Sequence, residues 1–555
     1  DGGRSEATWK KTIPTVGHAY NCWFRPRQRR AVSCTRPTMK SATEHTPILA
    51  ASKQEEDEKA NTEMPDDKPG VSRTVYLLTF CAALGSCNLG FDIGVNTDAG
   101  KLVQESMQLS DVQLELFMGS INLYAIVGAL LTSKVVGSIG LRLSFLASSV
   151  LFVVGLALQI FSSTFLLLMF GRVWVGIAVG FGMTVTPMYI TEISPKRARG
   201  ALVSWSEIGL NVGILLGFSS GLLFFGLSPD MSWRLMFSLG CFLPILLAIL
   251  AMTTMEESPR WLIQKGRYTE ARVVLVKLYP KGDGVDSVDD LLREIKEDIE
   301  EEVDAERGQS GWAAILCSDR PAIRRMMLVG VSIGICVQLS GIDAIQYYLT
   351  FVLDASGITS RKKQAVFLTG LGVLKLSMIF VASLLVDKLG RRPLLFLSLS
   401  GAIVSLLLIA SVFGGDDDNA RVVLFGLGMY LASFSLGLGP LAWIVPNELF
   451  PTAIRAKAVS LSVFANRLSA AVVSSTMLTL ADFLGWCGYF VFLAVLCFLI
   501  LAFFYVYLPE TKGKRLEDIA HYMEEITASR HKDTPVSQST FLSHRESSAG
   551  IEILA

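Results

Sequence analysis

"EISPKRAR", residues 192–199, follows a glycine-rich apolar run and returns 256 residues later as "ELFPTAIR", residues 448–455. Both read E-x-x-P-x-x-x-R, with Glu192, Pro195 and Arg199 answered by Glu448, Pro451 and Arg455. A weaker pair, "GSIGLR" at 137–142 and "DKLGRR" at 387–392, repeats at an offset of 250. Two repeats at similar offsets point to a duplicated chain.

The segments around these repeats are apolar. The chain has 555 residues, 51% hydrophobic and only 18% charged. A soluble protein of this length carries more charge and fewer long apolar runs. A membrane-spanning helix needs about 20 mostly apolar residues. Twelve stretches qualify, at 73–95, 113–133, 143–163, 165–190, 200–226, 232–254, 326–353, 364–386, 394–414, 421–445, 456–481 and 484–508. The expected fold is therefore an all-α membrane protein of twelve transmembrane helices. Two six-helix halves, 73–254 and 326–508, flank a cytosolic helical linker at 255–325. Six plus six in parallel repeat is the layout of major facilitator transporters, with the substrate at the midplane between the halves.

Loop charges orient the chain. The basic segments "SKVVGSIGLR", "SPKRARG", "DKLGRRP" and "TAIRAK", with the long linker, fall on one side. "SRKKQ" at 360–364 breaks the rule on the other side. The majority places both termini in the cytosol. Residues 1–72 and 509–555 read as polar cytosolic tails, the first disordered. Within 1–40, "RPRQRR" admits a transit-peptide reading, but sequence upstream of Met39 is the preferred one. The plasma membrane is the expected location, an organelle membrane the alternative. In the linker, Leu292, Ile295, Ile299 and Val303 recur at helical spacing and predict an amphipathic helix under the membrane domain.

Other classes are excluded by what the chain contains. Fifty basic residues balance fifty acidic ones, so nucleic acid is not an expected partner. The nine cysteines form no C-x-x-C pair, and all five histidines lie in the tails, so no metal or other cofactor is expected. There is no phosphate-binding G-x-x-x-x-G-K-[ST]. An enzyme is not expected. The bilayer is the expected partner, with the protein a monomer.

The ionisable residues inside the spans are few: Asp92, Arg172, Glu207, Asp343, Lys375 and Arg467. A carboxylate at that depth costs about 2.5–3.5 kcal/mol on insertion scales and is by default functional. With no histidine available, proton coupling falls to a carboxylate. Glu207 and Asn211, and likewise Asp343 and Tyr347, stand four apart on one helix face. Gln338 and Gly341 precede Asp343 where the helix is expected to break. Trp443, after Gly437, Gly439 and Pro440, offers an aromatic wall in a loosened helix. Glu207 and Asp343 read equally well as ligand acceptors, as protonated helix–helix contacts, or as partners of Lys375 and Arg467.

From about 73 to 520 the chain resembles the sugar porter family of major facilitator transporters. The resemblance rests on "GFDIGV", "GRVWVGIAVGFG", "PMYITEISPKRARG", "MEESPRWL", "QLSGIDAIQYY", "VDKLGRRP", "GLGPLAWIVPNELFP" and "LPETKG". Four details are similar to plant polyol and monosaccharide proton symporters: Glu207, Asp343, Lys375, and Asn466 with Arg467. The resemblance implies proton-coupled symport of a polyol or monosaccharide, with Asp92 binding the proton and Arg172 pairing with its charged form. It implies a substrate site of Glu207, Gln338, Asp343, Tyr347, Gly439, Trp443 and Asn466. It implies gating by Glu192, Arg199, Asp387, Arg391, Arg392, Glu448 and Arg455. Two departures stand out: Gly137 and Ser138 replace an acid and an arginine, and Val337 replaces one of two adjacent glutamines. Uncoupled hexose transport is the alternative function; a non-transporting sugar sensor is a weaker one.

Overall fold

A computed structural model describes residues 71–195, 198–279, 288–308, 321–415, 419–450, 452–510 and 512. The expected N-terminal tail and the C-terminal tail beyond 512 lie outside these residues, as do the side chains of Asp387 and Val303. All regular elements among them are helices. The amino half comprises α1 (Arg73–Met107), α2 (Asp111–Ile139), α3 (Leu141–Ile160), α4 (Phe165–Ile193), α5 (Arg199–Phe224) and α6 (Pro229–Thr253). Three shorter helices follow: α7 (Pro259–Gln264), α8 (Tyr268–Leu278) and α9 (Val288–Gly308). The carboxyl half comprises α10 (Pro321–Leu339), α11 (Ile342–Tyr347), α12 (Leu349–Ala355), α13 (Arg361–Leu389) and α14 (Arg391–Phe413). It continues through α15 (Ala420–Leu436), α16 (Leu438–Leu449), α17 (Thr452–Ser474) and α18 (Met477–Tyr507).

Eleven helices among the described residues are long and apolar enough to cross a membrane, with α10–α11 and α15–α16 each counted as one span. The expected stretch at 456–481 is corrected at its end. Its helix ends at Ser474, the next begins at Met477, and α17 is not among the eleven. The physical reason is that Arg455, Lys457 and Arg467 fall inside α17 and dilute its apolar surface.

Local chemistry sets the turns. Ser110 and Gln113 form a reciprocal capping box that starts α2, with bonds of 3.3 and 3.0 Å. The tight turns into α3 and α14 place Gly140 and Gly390 at φ +90° and +93°, where a side chain is strained. Gly341, at φ +88°, separates α10 from α11 where the sequence predicted a break. A second break falls at Gly437, between α15 and α16.

Small residues let spans approach closely. On α1 and α5, a Cβ at Gly90 would strike the Leu210 carbonyl, and one at Gly213 would strike that of Cys87. This contact fixes Asp92 on α1 relative to Glu207 on α5. Beneath α1 and α4, the ends Val75, Leu78, Val185 and Tyr189 form one apolar cluster with Leu262, Val274 and Leu278. The α9 residues Leu292, Ile295 and Ile299 pack on it, as the helical spacing predicted. We call this end of the bundle the linker face and the opposite end the far face.

Candidate functional site

The deepest charges are Asp92 on α1 and Arg172 on α4. Their side chains are 2% and 0% exposed, and Asp92 Oδ1 lies 3.4 Å from Arg172 Nη1. Arg172 has further partners: its Nε donates to the Phe117 carbonyl at 3.1 Å, and its guanidinium lies 4.4 Å from the Phe117 ring centre. Asn96, one turn on from Asp92, donates to the Asp92 carbonyl. The two ions that the resemblance assigned to coupling are thus brought together in the interior of one half. An unpaired ion here would cost several kcal/mol, and the pairing offsets part of that cost.

A second polar group spans the two halves. Glu207 (α5) accepts from Asn211 Nδ2 at 3.3 Å, and the cations acting on it are Lys375 (α13) and Arg467 (α17). Lys375 is buried and donates to Gln346 Oε1 at 2.8 Å. Asp343 stands 4.0 Å from Arg467, whose Nη1 donates to Asn122 Oδ1 on α2 at 3.0 Å. Gln338 Nε2 faces Asn466 Oδ1 at 3.4 Å, and Asn466 Nδ2 donates to the Gly334 carbonyl at 2.9 Å. Tyr347 is buried, under the influence of both Asp92–Arg172 and Asp343–Arg467. Trp443 and Asn466 line one crevice with Gly334, Pro446 and Ser462. Gly439 packs against Phe434 near the start of α16. Of the three readings open for Glu207 and Asp343, proximity to Lys375 and Arg467 is the one with a visible partner.

The residues expected to gate lie toward the linker face. Arg391 holds Glu448 with Nε–Oε1 of 3.1 Å and Nη2–Oε1 of 2.7 Å. Arg392 donates to the Tyr505 carbonyl at 2.6 Å. Glu192 accepts from Ser258 Oγ, Arg199 is exposed, and Arg455 Nε donates to the Phe450 carbonyl at 3.1 Å. The expected Asp387 contact lies outside the described residues.

Sequence reasoning missed two sets of residues. On the linker face, Glu257 Oε1 accepts from the backbone N–H of Leu141 (2.8 Å), Arg142 (3.2 Å) and Ser258 (3.0 Å). Glu510 does the same at α14, accepting from the N–H groups of Arg391 and Arg392, each at 3.0 Å. Each carboxylate caps a helix N-terminus whose first N–H groups lack internal partners. Burial pushes the Glu257 carboxyl up, and the N–H groups of Ser258, Arg142 and Leu141 pull against it. The signal was available, since both residues sit in quoted motifs, "MEESPRWL" and "LPETKG", 253 apart.

On the far face, the halves are tied across their interface. Thr97 Oγ1 donates to the Gln346 carbonyl at 2.9 Å, and Thr350 Oγ1 donates to the Thr97 carbonyl at 3.0 Å. Lys101 pairs with Asp354, and Glu115 accepts from Thr479 through both oxygens, at 2.8 and 2.6 Å. Arg361 donates to the Leu227 carbonyl at 2.9 Å and to Ser232 Oγ at 3.0 Å, while Lys362 sits 5.6 Å from the Phe225 ring centre. The basic cluster that broke the charge rule therefore serves as an inter-half fastener.

Comparison with known proteins agrees with this architecture. Residues 78–522 match the family described as "Sugar (and other) transporter". The chain is 34% identical to "Probable polyol transporter 4" of Arabidopsis thaliana, across 81% of this chain and 85% of the relative. It is 33% identical to "Putative polyol transporter 2" of the same plant, across 83% and 93%. Among solved structures, the inward-open xylose transporter XylE from E. coli superposes with a TM-score of 0.69 at 25% identity, covering 81% of this chain and 99% of XylE. XylE bound to 6-bromo-6-deoxy-D-glucose, described as a proton:xylose symporter, superposes at 0.67 with 25% identity, across 82% and 100%. By its helices, its repeated motifs and its match across most of its length, this chain belongs to the sugar (and other) transporter family.

Proposed function

We propose that the protein carries a polyol or monosaccharide across a membrane together with protons, by alternating access. The observation that carries this reading is the Asp92–Arg172 pair, buried at 3.4 Å in the interior of the amino half. A carboxylate beside a movable arginine binds or releases a proton according to how close that arginine stands. Uncoupled transport has no use for such a pair, which a static role would make costly. The polyol reading draws on the named polyol transporters among the relatives and on Glu207, whose oxygens accept hydrogen bonds from hydroxyls. The far-face fasteners support a state closed on that side, in keeping with the inward-open XylE neighbour.

The proposed setting is the plasma membrane, with the linker face and both termini in the cytosol and the protein a monomer. Uptake of labelled sorbitol and glucose into proteoliposomes, with and without an inward proton gradient, tests the function. Accumulation above the outside concentration only with the gradient is the expected result. Equal uptake in both conditions makes the protein a facilitator.

A further inference from the structure

Asp92 has a counterpart in the other half. "LGFD" at 89–92 and "SGID" at 340–343 share Gly, an apolar residue and Asp at an offset of 251, within the span of offsets shown by the other repeats. Both aspartates lie on the first spanning segment of their half, and both face an arginine, at 3.4 Å for Asp92 and 4.0 Å for Asp343. Asp92 Oδ2, the oxygen not held by Arg172, and Asp343 Oδ2, the oxygen that faces Arg467 at 4.0 Å, are both buried without a hydrogen-bond partner. Such an atom is costly as a bare acceptor, and a proton on it restores a donor.

The arginines share a second feature. Each keeps a neutral acceptor on α2: the Phe117 carbonyl for Arg172 and Asn122 Oδ1 for Arg467. When the carboxylate takes a proton, the guanidinium is not left without a partner. Asn122 belongs to the opposite half from Arg467, so reorientation of the halves changes how Arg467 divides between Asn122 and Asp343. Proton occupancy at Asp343 is thereby linked to conformation.

We infer that Asp343, the repeat counterpart of Asp92, forms a second proton-binding pair with Arg467, so that two protons accompany each substrate. This rests on the proton-coupled reading above and extends it. Each event is a transfer from solvent to a carboxylate oxygen on one side and back to solvent on the other, with no other bond made or broken. The groups facing Asp343 are Arg467 from α17, Lys375 from α13, Gln338 from α10, Tyr430 from α15 and Tyr347 from its own helix. Lys375 is shared with Glu207 and donates to Gln346, so it remains paired when Asp343 is neutral. Tyr347 lies within the field of both pairs and is placed to sense both.

The test is the stoichiometry of the full chain in proteoliposomes, with membrane voltage held at zero. A fixed gradient of labelled sorbitol, with glucose as second probe, is opposed by a variable pH difference until net flux vanishes. Two protons halve the nulling pH difference relative to one. The expected wild-type null is the two-proton value, and Asp343→Asn moves it to the one-proton value. A one-proton null in the wild type, or an unchanged two-proton null in Asp343→Asn, overturns the inference while leaving coupling intact. A wild type that no pH difference can null overturns the coupled reading itself. If Asp343→Asn carries no net flux, proton uptake on sorbitol binding in weakly buffered detergent replaces the null. Half the wild-type uptake supports the second pair, and undiminished uptake overturns it.

Discussion

Asp92 and Arg172, 80 residues apart in the chain, meet through a single contact of 3.4 Å and leave Asp92 Oδ2 and Arg172 Nη2 buried without hydrogen-bond partners. A two-point pairing would lock both side chains. This one-point contact leaves each ion a free valence, and Arg172 is meanwhile steadied by Phe117. Separating the pair costs fewer bonds than separating a two-point pairing would.

Asp92→Asn keeps the side-chain volume and removes the titrating oxygen. The variant is expected to lose accumulation against a gradient while substrate exchange across equilibrated vesicles continues. Counterflow and gradient-driven uptake, measured side by side, separate the two. A mutant that still concentrates sorbitol under an inward proton gradient would place coupling elsewhere.

The far-face fastener Lys101–Asp354 joins α1 to α12, and both side chains are about one-fifth exposed, at 22% and 24%. A partly exposed pair of this kind contributes roughly 1 kcal/mol or less. Lys101→Ala is therefore expected to raise the far-face-open population by up to about fivefold. Spin labels at exposed Gln108 and Lys363, one in each half, report the separation. A distance distribution identical to the unmutated protein's would show that Thr97, Thr350 and Glu115 hold the face without Lys101.

The spans were legible because about 20 apolar residues in a row have few other uses. Asp92 and Arg172 were legible for the converse reason, as charges where charge is expensive. Glu115 and Lys101 gave no such signal, because they lie near span ends where a carboxylate or ammonium group ordinarily meets solvent. Their partners, Thr479 and Asp354, are 364 and 253 residues away, and no periodicity links them. The end of α17 was misjudged for a local reason: the turn at Ser475 and Thr476 carries neither glycine nor proline. The side chain of Arg467 makes that helix look less apolar than a span should, yet it meets Asn122 at 3.0 Å and Asp343 at 4.0 Å on two other helices.

The two helix-capping glutamates should respond differently to the same substitution. Glu257 accepts all three of its N–H bonds on Oε1, so Glu257→Gln can keep them on one amide oxygen. Glu510 divides its bonds between Oε1, toward Arg391 and Lys512, and Oε2, toward Arg392. Glu510→Gln therefore turns an NH₂ group toward an N–H. An unsatisfied buried donor costs about 1–3 kcal/mol. Thermal unfolding of purified protein in detergent should show a larger drop for Glu510→Gln than for Glu257→Gln. The reverse order would mean that charge at the helix N-terminus outweighs the bond count.

Glu207 offers the sharpest test of selectivity. As a carboxylate it presents acceptors only, whereas glutamine presents two donors and one acceptor oxygen. Asn211 already donates to Glu207 Oε1 at 3.3 Å, which leaves Oε2 for a ligand hydroxyl or for Lys375. If Oε2 serves a hydroxyl, Glu207→Gln mismatches one hydrogen bond. The loss in apparent affinity for a linear polyol is then roughly tenfold, about 1.4 kcal/mol. A cyclic hexose, with its hydroxyls in fixed directions, should be affected less. If Oε2 instead balances Lys375, the substitution leaves that buried ammonium with one fewer counter-charge, and both ligand classes weaken together. Competition of sorbitol or mannitol against labelled glucose distinguishes the two. A selective polyol loss assigns Glu207 to the substrate, and a parallel loss assigns it to the scaffold that holds α5 against α13.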